Sequence, residues 1–384
     1  MAEQEVSERV SRRLWELYHR HLPLAKGDVA YYYAAGSGYY EADLANDERR
    51  VFGIALSDMD GQLYGVGEDR DPFALQSISK VFAFALALED HGRDEVLRHV
   101  GVEPSGDAYN SIEFDEHTNR PYNPMVNAGA LVTTDLVRGA DPSEKLDRLL
   151  ATMQRAAANE DLEVDWDNFE RELQVADLNR ATTYLMRSLG MLAGDAEAIL
   201  RLYLQQCSVT VTCRDLAVMA ATLANGGINP VSRTPVFSPE NVRDVLSVMF
   251  MCGMYDAAGQ WAFHVGVPAK SGVSGGVMAP IPGKLGIATY SPGLDVYGNS
   301  VRGVNVCGEI SGRLGLHNFA TDAEDAVLGP REPPDPGAPT DSSTSLIARP
   351  GEGESKPRNR LDSFAMDLTS ELNIPPDRVG EDGR

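Results

Sequence analysis

Residues 73–82 read FALQSISKVF, and they place a serine, Ser77, three positions before a lysine, Lys80. The apolar pattern from Gln76 to Leu88 predicts a buried helix, in which these two side chains share one face. A serine hydroxyl becomes a good nucleophile when a neighbouring base takes its proton, and a lysine amine that burial holds neutral can be that base. Backbone N–H groups at the start of a helix also favour a developing oxyanion. The segment therefore makes Ser77 a candidate nucleophile, although a Ser-x-x-Lys motif alone is a weak signal.

A second signal is Lys270-Ser271-Gly272, which lies in a strand-like context near the end of the folded part. Penicillin-recognising serine enzymes pair a Ser-x-x-Lys motif with a Lys-[Ser/Thr]-Gly motif on a strand of the same site. The chain has only six lysines, so the pair of motifs is more specific than either one. The alternative is that Lys270 is a surface lysine beside a glycine-rich turn.

Strand patterns lie at both ends of the folded part. Arg50–Gly67 contains two apolar runs around Asp60-Gly61, which is a strong hairpin signal. Gly275–Ile281 and Gly286–Ser291 predict a second pair of strands. The fold class is therefore α+β, with an antiparallel sheet built from both termini.

Helical patterns fill the section between these strands. Asp141-Pro142 and Ser238-Pro239 each predict a helix start, and Thr212–Asp215 resembles a capping box. A last helix is predicted over Ser300–Leu314. We therefore expect a catalytic domain of residues 1–320 with a helical insert at about residues 90–250.

The composition changes at residue 321. Residues 321–384 hold 14 acidic and 7 basic residues, together with 9 of the 22 prolines. Such a segment buries too little apolar area to offset its ordering entropy, so we expect a disordered tail. Apolar residues at helical spacing in Leu361–Leu372 leave a short docking helix as the alternative.

The formal net charge of −23 argues against a nucleic-acid partner and against an anionic membrane surface. No apolar run is long enough to span a membrane, and the first residues lack the apolar region of a secretory signal. The four cysteines show no disulfide or metal spacing, which favours reduced thiols and a cytoplasmic location. His19 and His21 alternate on an amphipathic helix, and no metal or nucleotide motif occurs, so we expect no metal and no cofactor.

At the two lysine motifs and around them the chain resembles the serine-dependent glutaminases, which share a β-lactamase/transpeptidase-like fold. The resemblance covers about residues 7–320. Its blocks are FALQSISKVF (73–82), NPMVNAGA (123–130), CSVTVTC (207–213), AVMAATLANGG (217–227), CGMYD (252–256) and FHVGVPAKSGVSGG (263–276). Several blocks of this length in the family's order are far more specific than a tripeptide.

The resemblance implies a role for each matching residue. Ser77 matches the nucleophile, Lys80 its base, and Tyr255 the tyrosine beside that pair, a candidate proton shuttle. Val273 matches the residue whose backbone N–H completes the oxyanion hole with that of Ser77. The residues that match the family's substrate contacts are Asn127, Glu172, Asn179 and Tyr203. By pattern alone, Glu172 and Asn179 would be solvated helix positions, and Tyr203 a core residue.

One departure lies in the amino-terminal loop, where the family has a substrate-contacting tyrosine in a Tyr-Ile-Pro sequence. This chain instead has several tyrosines between Val29 and Tyr40. Tyr32 is the best match, and the alternatives are Tyr31, Tyr33 and Tyr40.

The resemblance implies a glutaminase that hydrolyses L-glutamine to L-glutamate and ammonia through a serine acyl-enzyme. In this assignment Glu172 binds the substrate's α-ammonium, and Asn127, Asn179 and Tyr32 bind its α-carboxylate. The family also implies a homodimer or homotetramer. Two alternatives remain at this point: a β-lactamase, esterase or peptidase that uses the same serine, and a non-catalytic glutamine-binding sensor.

Overall fold

The computed structural model describes residues 2–29, 50–106, 112, 114–115 and 117–320. The predictions for Tyr31, Tyr32, Tyr33, Tyr40 and the tail after residue 320 lie outside these residues. The helices are α1 (Ala2–His21), α2 (Ser79–His91), α3 (Arg93–His99), α4 (Asn127–Leu136), α5 (Pro142–Ala157), α6 (Trp166–Gln174), α7 (Asp177–Ser188), α8 (Ala196–Cys207), α9 (Cys213–Ala224), α10 (Pro239–Cys252), α11 (Ala258–His264) and α12 (Val301–Leu314). The strands are β1 (Gly53–Asp58), β2 (Leu63–Gly67), β3 (Phe73–Ala74), β4 (Thr210–Val211), β5 (Lys270–Ser271), β6 (Gly276–Ile281) and β7 (Leu285–Tyr290). Single 3₁₀ turns cover Gln76–Ile78 and Tyr255–Ala257.

The described residues form a five-stranded antiparallel sheet in the order β2-β1-β7-β6-β5. Gly53 lies opposite Tyr290 and Asp58 opposite Leu285, so the amino-terminal hairpin pairs directly with the carboxy-terminal strands. The turn between β1 and β2 has Gly61 at a φ of +85°, which glycine adopts without strain. The predicted α+β fold, with an antiparallel sheet from both termini, is confirmed.

Helices cover both faces of this sheet. α9 packs on one face against β1, β6 and β7, whereas α1 and α12 lie on the other. Gly286 of β7 faces α9, and a Cβ at this position would overlap the backbone of Ala217 and Ala221. The close approach of α9 to the sheet therefore requires glycine here.

The helical section is built around α2, which packs against α4, α5 and α10. Every residue from Ser79 to Leu88 is buried, which explains why this helix is apolar on all sides. The predicted helix starts at Pro142 and Pro239 are confirmed, and Thr212 forms the predicted capping box with Asp215.

The start of α2 differs from the prediction. The pattern predicts one helix from Gln76, but α2 begins at Ser79 and Gln76–Ile78 forms a 3₁₀ turn. The reason is the φ of +52° at Gln76, which lies in the left-handed region and cannot continue an α-helix. This irregular backbone immediately precedes Ser77.

None of the described helices is long and apolar enough to cross a membrane. All four cysteines are free thiols, and three of them are buried.

Candidate active site

Ser77 lies in the 3₁₀ turn and Lys80 in the first turn of α2. The Lys80 side chain is fully buried, and its Nζ donates to Asn127 Oδ1 at 2.6 Å and to the Met125 carbonyl at 3.3 Å. Neither acceptor is a carboxylate, so burial dominates and lowers the pKa of Lys80 to about 8. A lysine with this pKa is partly neutral near neutral pH and can accept a proton.

Lys270 is a second buried lysine near Lys80. Lys270 lies on β5, is fully buried, and donates from Nζ to the Ser271 carbonyl at 2.7 Å. Burial holds the pKa of Lys270 well below its usual range, and the nearby Lys80 charge lowers it further. Lys270 is therefore a buried member of the site and not a surface lysine beside a turn.

Tyr255 contacts the same strand as Lys270. The Tyr255 hydroxyl donates to the Ser271 carbonyl at 3.1 Å, and Lys270 Nζ lies 4.1 Å from the centroid of the tyrosine ring. Tyr255 has a φ of +52°, so two residues of the site, Gln76 and Tyr255, have left-handed backbone. Such conformations persist in non-glycine residues only where the surroundings hold them, and they concentrate at functional sites.

Two residues near these side chains, Ser77 and Val273, have backbone N–H groups without a described hydrogen-bond partner. Among the described residues, neither the N–H of Ser77 nor that of Val273 donates a hydrogen bond. Both residues line one small cavity. Paired N–H donors of this kind can bind the oxyanion of a tetrahedral intermediate.

The remaining lining of that cavity is mostly polar. Its residues are Gln76, Ser77, Asn127, Glu172, Asn179, Tyr203, Leu204, Cys207 and Val273. Six predicted site residues therefore line this cavity, and Lys80 contacts it through Asn127. Tyr255 is not part of its lining and lines a neighbouring cavity instead.

Glu172 supplies a carboxylate to the cavity. It is 9% exposed, although the sequence pattern alone favours a solvated position. Its Oε1 accepts hydrogen bonds from Gln76 Nε2 and from Asn168 Nδ2, the latter at 3.0 Å. Burial raises the pKa of Glu172, and the two hydrogen bonds oppose that rise. The arrangement holds an anion ready for a cationic group of a ligand.

A chain of hydrogen bonds connects the amide side chains of the cavity to Lys80. Asn127 Nδ2 donates to Asn179 Oδ1 at 3.0 Å, and Asn127 Oδ1 accepts from Tyr203 at 3.2 Å. Because Asn127 Oδ1 also accepts from Lys80, it is held by two donors. Tyr203 is 4% exposed, so it is both a core residue and a cavity residue.

Cys207 is the other nucleophilic side chain in the cavity. Its Sγ lies 3.6 Å from Ser79 Oγ, and burial raises the pKa of the thiol to about 12. The thiol is therefore almost entirely protonated near neutral pH and is a poor competitor to a serine that has a base.

The sequence analysis missed Gln76 and Asn168, the two donors that hold Glu172. One signal for Asn168 was available, because it lies four residues before Glu172 and so shares a helical face with it. Within the described residues, no group of three or more His, Cys, Asp or Glu side chains is placed to hold a metal ion.

Comparisons with known proteins all point to one family. The family model for glutaminase matches residues 37–319. A glutaminase from Trichormus variabilis is 51% identical over 304 residues, which are 79% of this chain and 88% of the relative. A glutaminase from Microcystis aeruginosa is 52% identical over 280 residues, which are 73% and 82% of the two chains.

Solved structures give the same result. The probable glutaminase ybaS superimposes with a TM-score of 0.76 at 36% identity, over 82% of this chain and 99% of that one. A probable glutaminase from Bacillus subtilis has a TM-score of 0.71 at 33% identity, over 80% and 97% of the two chains. Mglu in its glutamate form has a TM-score of 0.73 at 41% identity, over 80% and 69%.

The fold is that of the serine β-lactamase-like hydrolases, in the form that glutaminases have. The chain belongs to the glutaminase family. It is a glutaminase enzyme, and this identity implies glutamine as its substrate. The two alternative functions, a β-lactamase, esterase or peptidase activity and a non-catalytic glutamine-binding sensor, are therefore rejected.

Proposed function

We propose that this glutaminase hydrolyses L-glutamine through an acyl-enzyme on Ser77, with Lys80 as the base. The observation that carries the proposal is the fully buried Lys80, three residues after Ser77, which donates to Asn127 in a cavity that Ser77 and the buried carboxylate of Glu172 also line.

In the first step Lys80 takes the proton of the Ser77 hydroxyl, and Oγ attacks the side-chain amide carbon of glutamine. The amine can do so because burial lowers the pKa of Lys80 to about 8. The negative charge that forms on the amide oxygen is bound by the unpaired N–H groups of Ser77 and Val273.

In the second step the C–N bond breaks. The proton taken from Ser77 is handed from Lys80 through the Tyr255 hydroxyl to the departing nitrogen, so that ammonia leaves and a glutamyl ester of Ser77 remains. Tyr255 suits this role because its hydroxyl donates to the Ser271 carbonyl, which also accepts from the buried Lys270.

In the third step water attacks the ester. Lys80 accepts a proton from the water, the same two N–H groups bind the new oxyanion, and the proton returns to Ser77 Oγ as glutamate is released. Lys80 therefore accepts a proton and then gives it up in both half-reactions.

Recognition of the free amino acid depends on the polar end of the cavity. Glu172 would bind the α-ammonium, and Asn127, Asn179 and Tyr32 would bind the α-carboxylate, with Tyr203 holding Asn127. The hydrogen bonds from Gln76 and Asn168 support this assignment because they fix the Glu172 carboxylate.

The test is a pair of serine variants. Ser77→Ala should abolish ammonia release and leave the melting temperature nearly unchanged, because the Ser77 carbonyl still accepts from the Ser79 N–H and its hydroxyl has no hydrogen-bond partner among the described residues. Ser79→Ala is the matched control, since Ser79 is buried two residues away and the hydrogen-bond partner of its hydroxyl within the described residues is the Cys207 thiol. Loss of activity in Ser79→Ala with activity retained in Ser77→Ala would refute the assignment.

We also propose a cytoplasmic enzyme that assembles as a homodimer or homotetramer. The four free thiols are what a reducing compartment maintains. Gel filtration with light scattering would decide the assembly, and a monomer would contradict it.

A further inference from the structure

A tight turn at residues 295–299, between β7 and α12, lies beside the active site. The Asp295 carboxylate accepts from the N–H groups of Tyr297 at 2.9 Å and Asn299 at 3.0 Å. The Gly298 N–H donates to the Asp295 carbonyl at 3.0 Å, and the Asp295 N–H donates to the Asn299 carbonyl at 2.8 Å. Gly298 has a φ of +87°, a conformation that suits glycine. The turn is therefore fixed by its own backbone and by one carboxylate.

The turn at residues 295–299 lies next to Tyr255 and Val273, two residues with proposed roles in the reaction. A Cβ at Gly298 would lie 3.7 Å from Tyr255 Cε2 and 4.0 Å from Val273 Cγ1. Asn299 is fully buried, and its Nδ2 donates to the carbonyl of Met254 at 3.3 Å. That carbonyl belongs to the peptide bond that leads into Tyr255.

Tyr255 needs such support because its backbone is left-handed at a φ of +52°. Lys270 Nζ lies against its ring, and the Ser271 carbonyl accepts from its hydroxyl, so β5 fixes the side chain. The backbone is fixed from the other direction by Asn299.

Packing alone does not account for Asn299. Its Oδ1 is buried and has no hydrogen-bond partner among the described residues. An unpaired polar atom in the interior costs free energy that an apolar side chain of similar size would avoid. The amide group at this position therefore calls for another explanation.

We propose that Asn299 is a positioning residue for the reaction: it holds the Met254–Tyr255 peptide so that the Tyr255 hydroxyl can deliver a proton to the departing ammonia. This inference rests on the proposed role of Tyr255 as proton shuttle. As the C–N bond breaks, the Tyr255 hydroxyl gives its proton to the amide nitrogen. Lys80 then gives Tyr255 the proton that it took from Ser77.

The test compares two substrates whose leaving groups differ in their need for a proton. L-Glutamine loses ammonia, which must be protonated as it leaves, whereas the γ-S-methyl thioester of L-glutamate loses a thiolate, which need not be. In Asn299→Ala, kcat/KM for glutamine should fall about tenfold, the size of one lost hydrogen bond, and kcat/KM for the thioester should fall less than twofold. Val296→Ala is the control in the same turn, because Val296 is 93% exposed, and it should change neither value.

A double-variant cycle shows whether Asn299 acts through Tyr255. Tyr255→Phe removes the hydroxyl, so the double variant Asn299→Ala/Tyr255→Phe should be no slower on glutamine than Tyr255→Phe alone. Equal losses on both substrates in Asn299→Ala, or a further tenfold loss in the double variant, would overturn the inference.

Failure of the proposed function gives a different pattern. If Tyr255→Phe slows both substrates equally, Tyr255 is not the proton shuttle and the proton route is wrong. The cycle on glutamine still decides whether Asn299 and Tyr255 act as a unit, because it does not depend on which step Tyr255 serves. Melting temperatures of the variants separate these effects from a loss of folded enzyme.

Discussion

The substitution Glu172→Gln tests how the enzyme selects a free amino acid. Gln has nearly the same shape as Glu, and its remaining oxygen can still accept from Gln76 and Asn168, so the variant removes the charge and keeps the packing. A hydrogen bond to a charged group contributes about 1.5–3 kcal/mol, so KM for L-glutamine should rise about ten- to a hundredfold. The rise should be mostly in KM, because the α-ammonium contact is equal in the ground state and the transition state.

The assay compares L-glutamine with glutaramic acid, the analogue that lacks the α-amino group. The analogue never makes the contact, so Glu172→Gln should change its kcat/KM much less. Glu170→Gln is a matched control on the same helix, since the Glu170 side chain is 61% exposed and lies 4.0 Å from Arg201 in a surface ion pair. If Glu172→Gln weakened the use of both substrates equally, or of neither, Glu172 would not bind the α-ammonium and another acid would have to be found.

Three further predictions concern the base, the tail and the fold. Lys80 must be neutral to act, and burial lowers its pKa to about 8. The value of kcat/KM should therefore rise with pH up to about 8 and fall roughly tenfold per pH unit below it. A flat profile between about pH 6 and 8 would contradict the role of Lys80 as the base. Removal of residues 321–384 should leave a folded, active enzyme, whereas loss of most activity or of assembly would show that Leu361–Leu372 docks on the body. Gly286→Ala should lower the free energy of unfolding by about 1–3 kcal/mol, because the new methyl group overlaps the backbone of Ala217. An unchanged denaturation midpoint would show that α9 can move away from the sheet without loss of stability.

The sheet and its covering helices could be predicted because their signals are local. The Asp60-Gly61 turn, the paired strands before and after Gly283, and the Thr212 capping box all depend on a few neighbouring residues. Each of these local signals agrees with the tertiary structure, which is the condition under which a sequence pattern is reliable.

The site itself depended on the family resemblance, because its geometry comes from distant segments. Glu172 is on a helix with an exposed side, and nothing in its neighbourhood predicts burial. Its carboxylate is buried and accepts from Gln76, which lies about a hundred positions earlier in the chain and has a left-handed backbone. A left-handed glutamine or tyrosine carries no sequence signal, since the conformation is imposed by tertiary contacts.

The role of Asn299 could not be predicted from the sequence either. The turn that holds Asn299 was not predicted from the sequence, and it is fixed by the Asp295 carboxylate and carbonyl. That the turn packs against Tyr255 and Val273 follows only from the fold, which returns the chain from β7 to the site before α12 begins.

The central claim is the covalent intermediate on Ser77. The most direct measurement is to inactivate the enzyme with a glutamine-like diazoketone, which reacts with the active-site nucleophile, and to locate the adduct by peptide mass spectrometry. The account predicts one label per chain, on the peptide that contains Ser77 and specifically on that residue, with protection by excess L-glutamate. A label on Ser79, or on the thiol of Cys207, would contradict it.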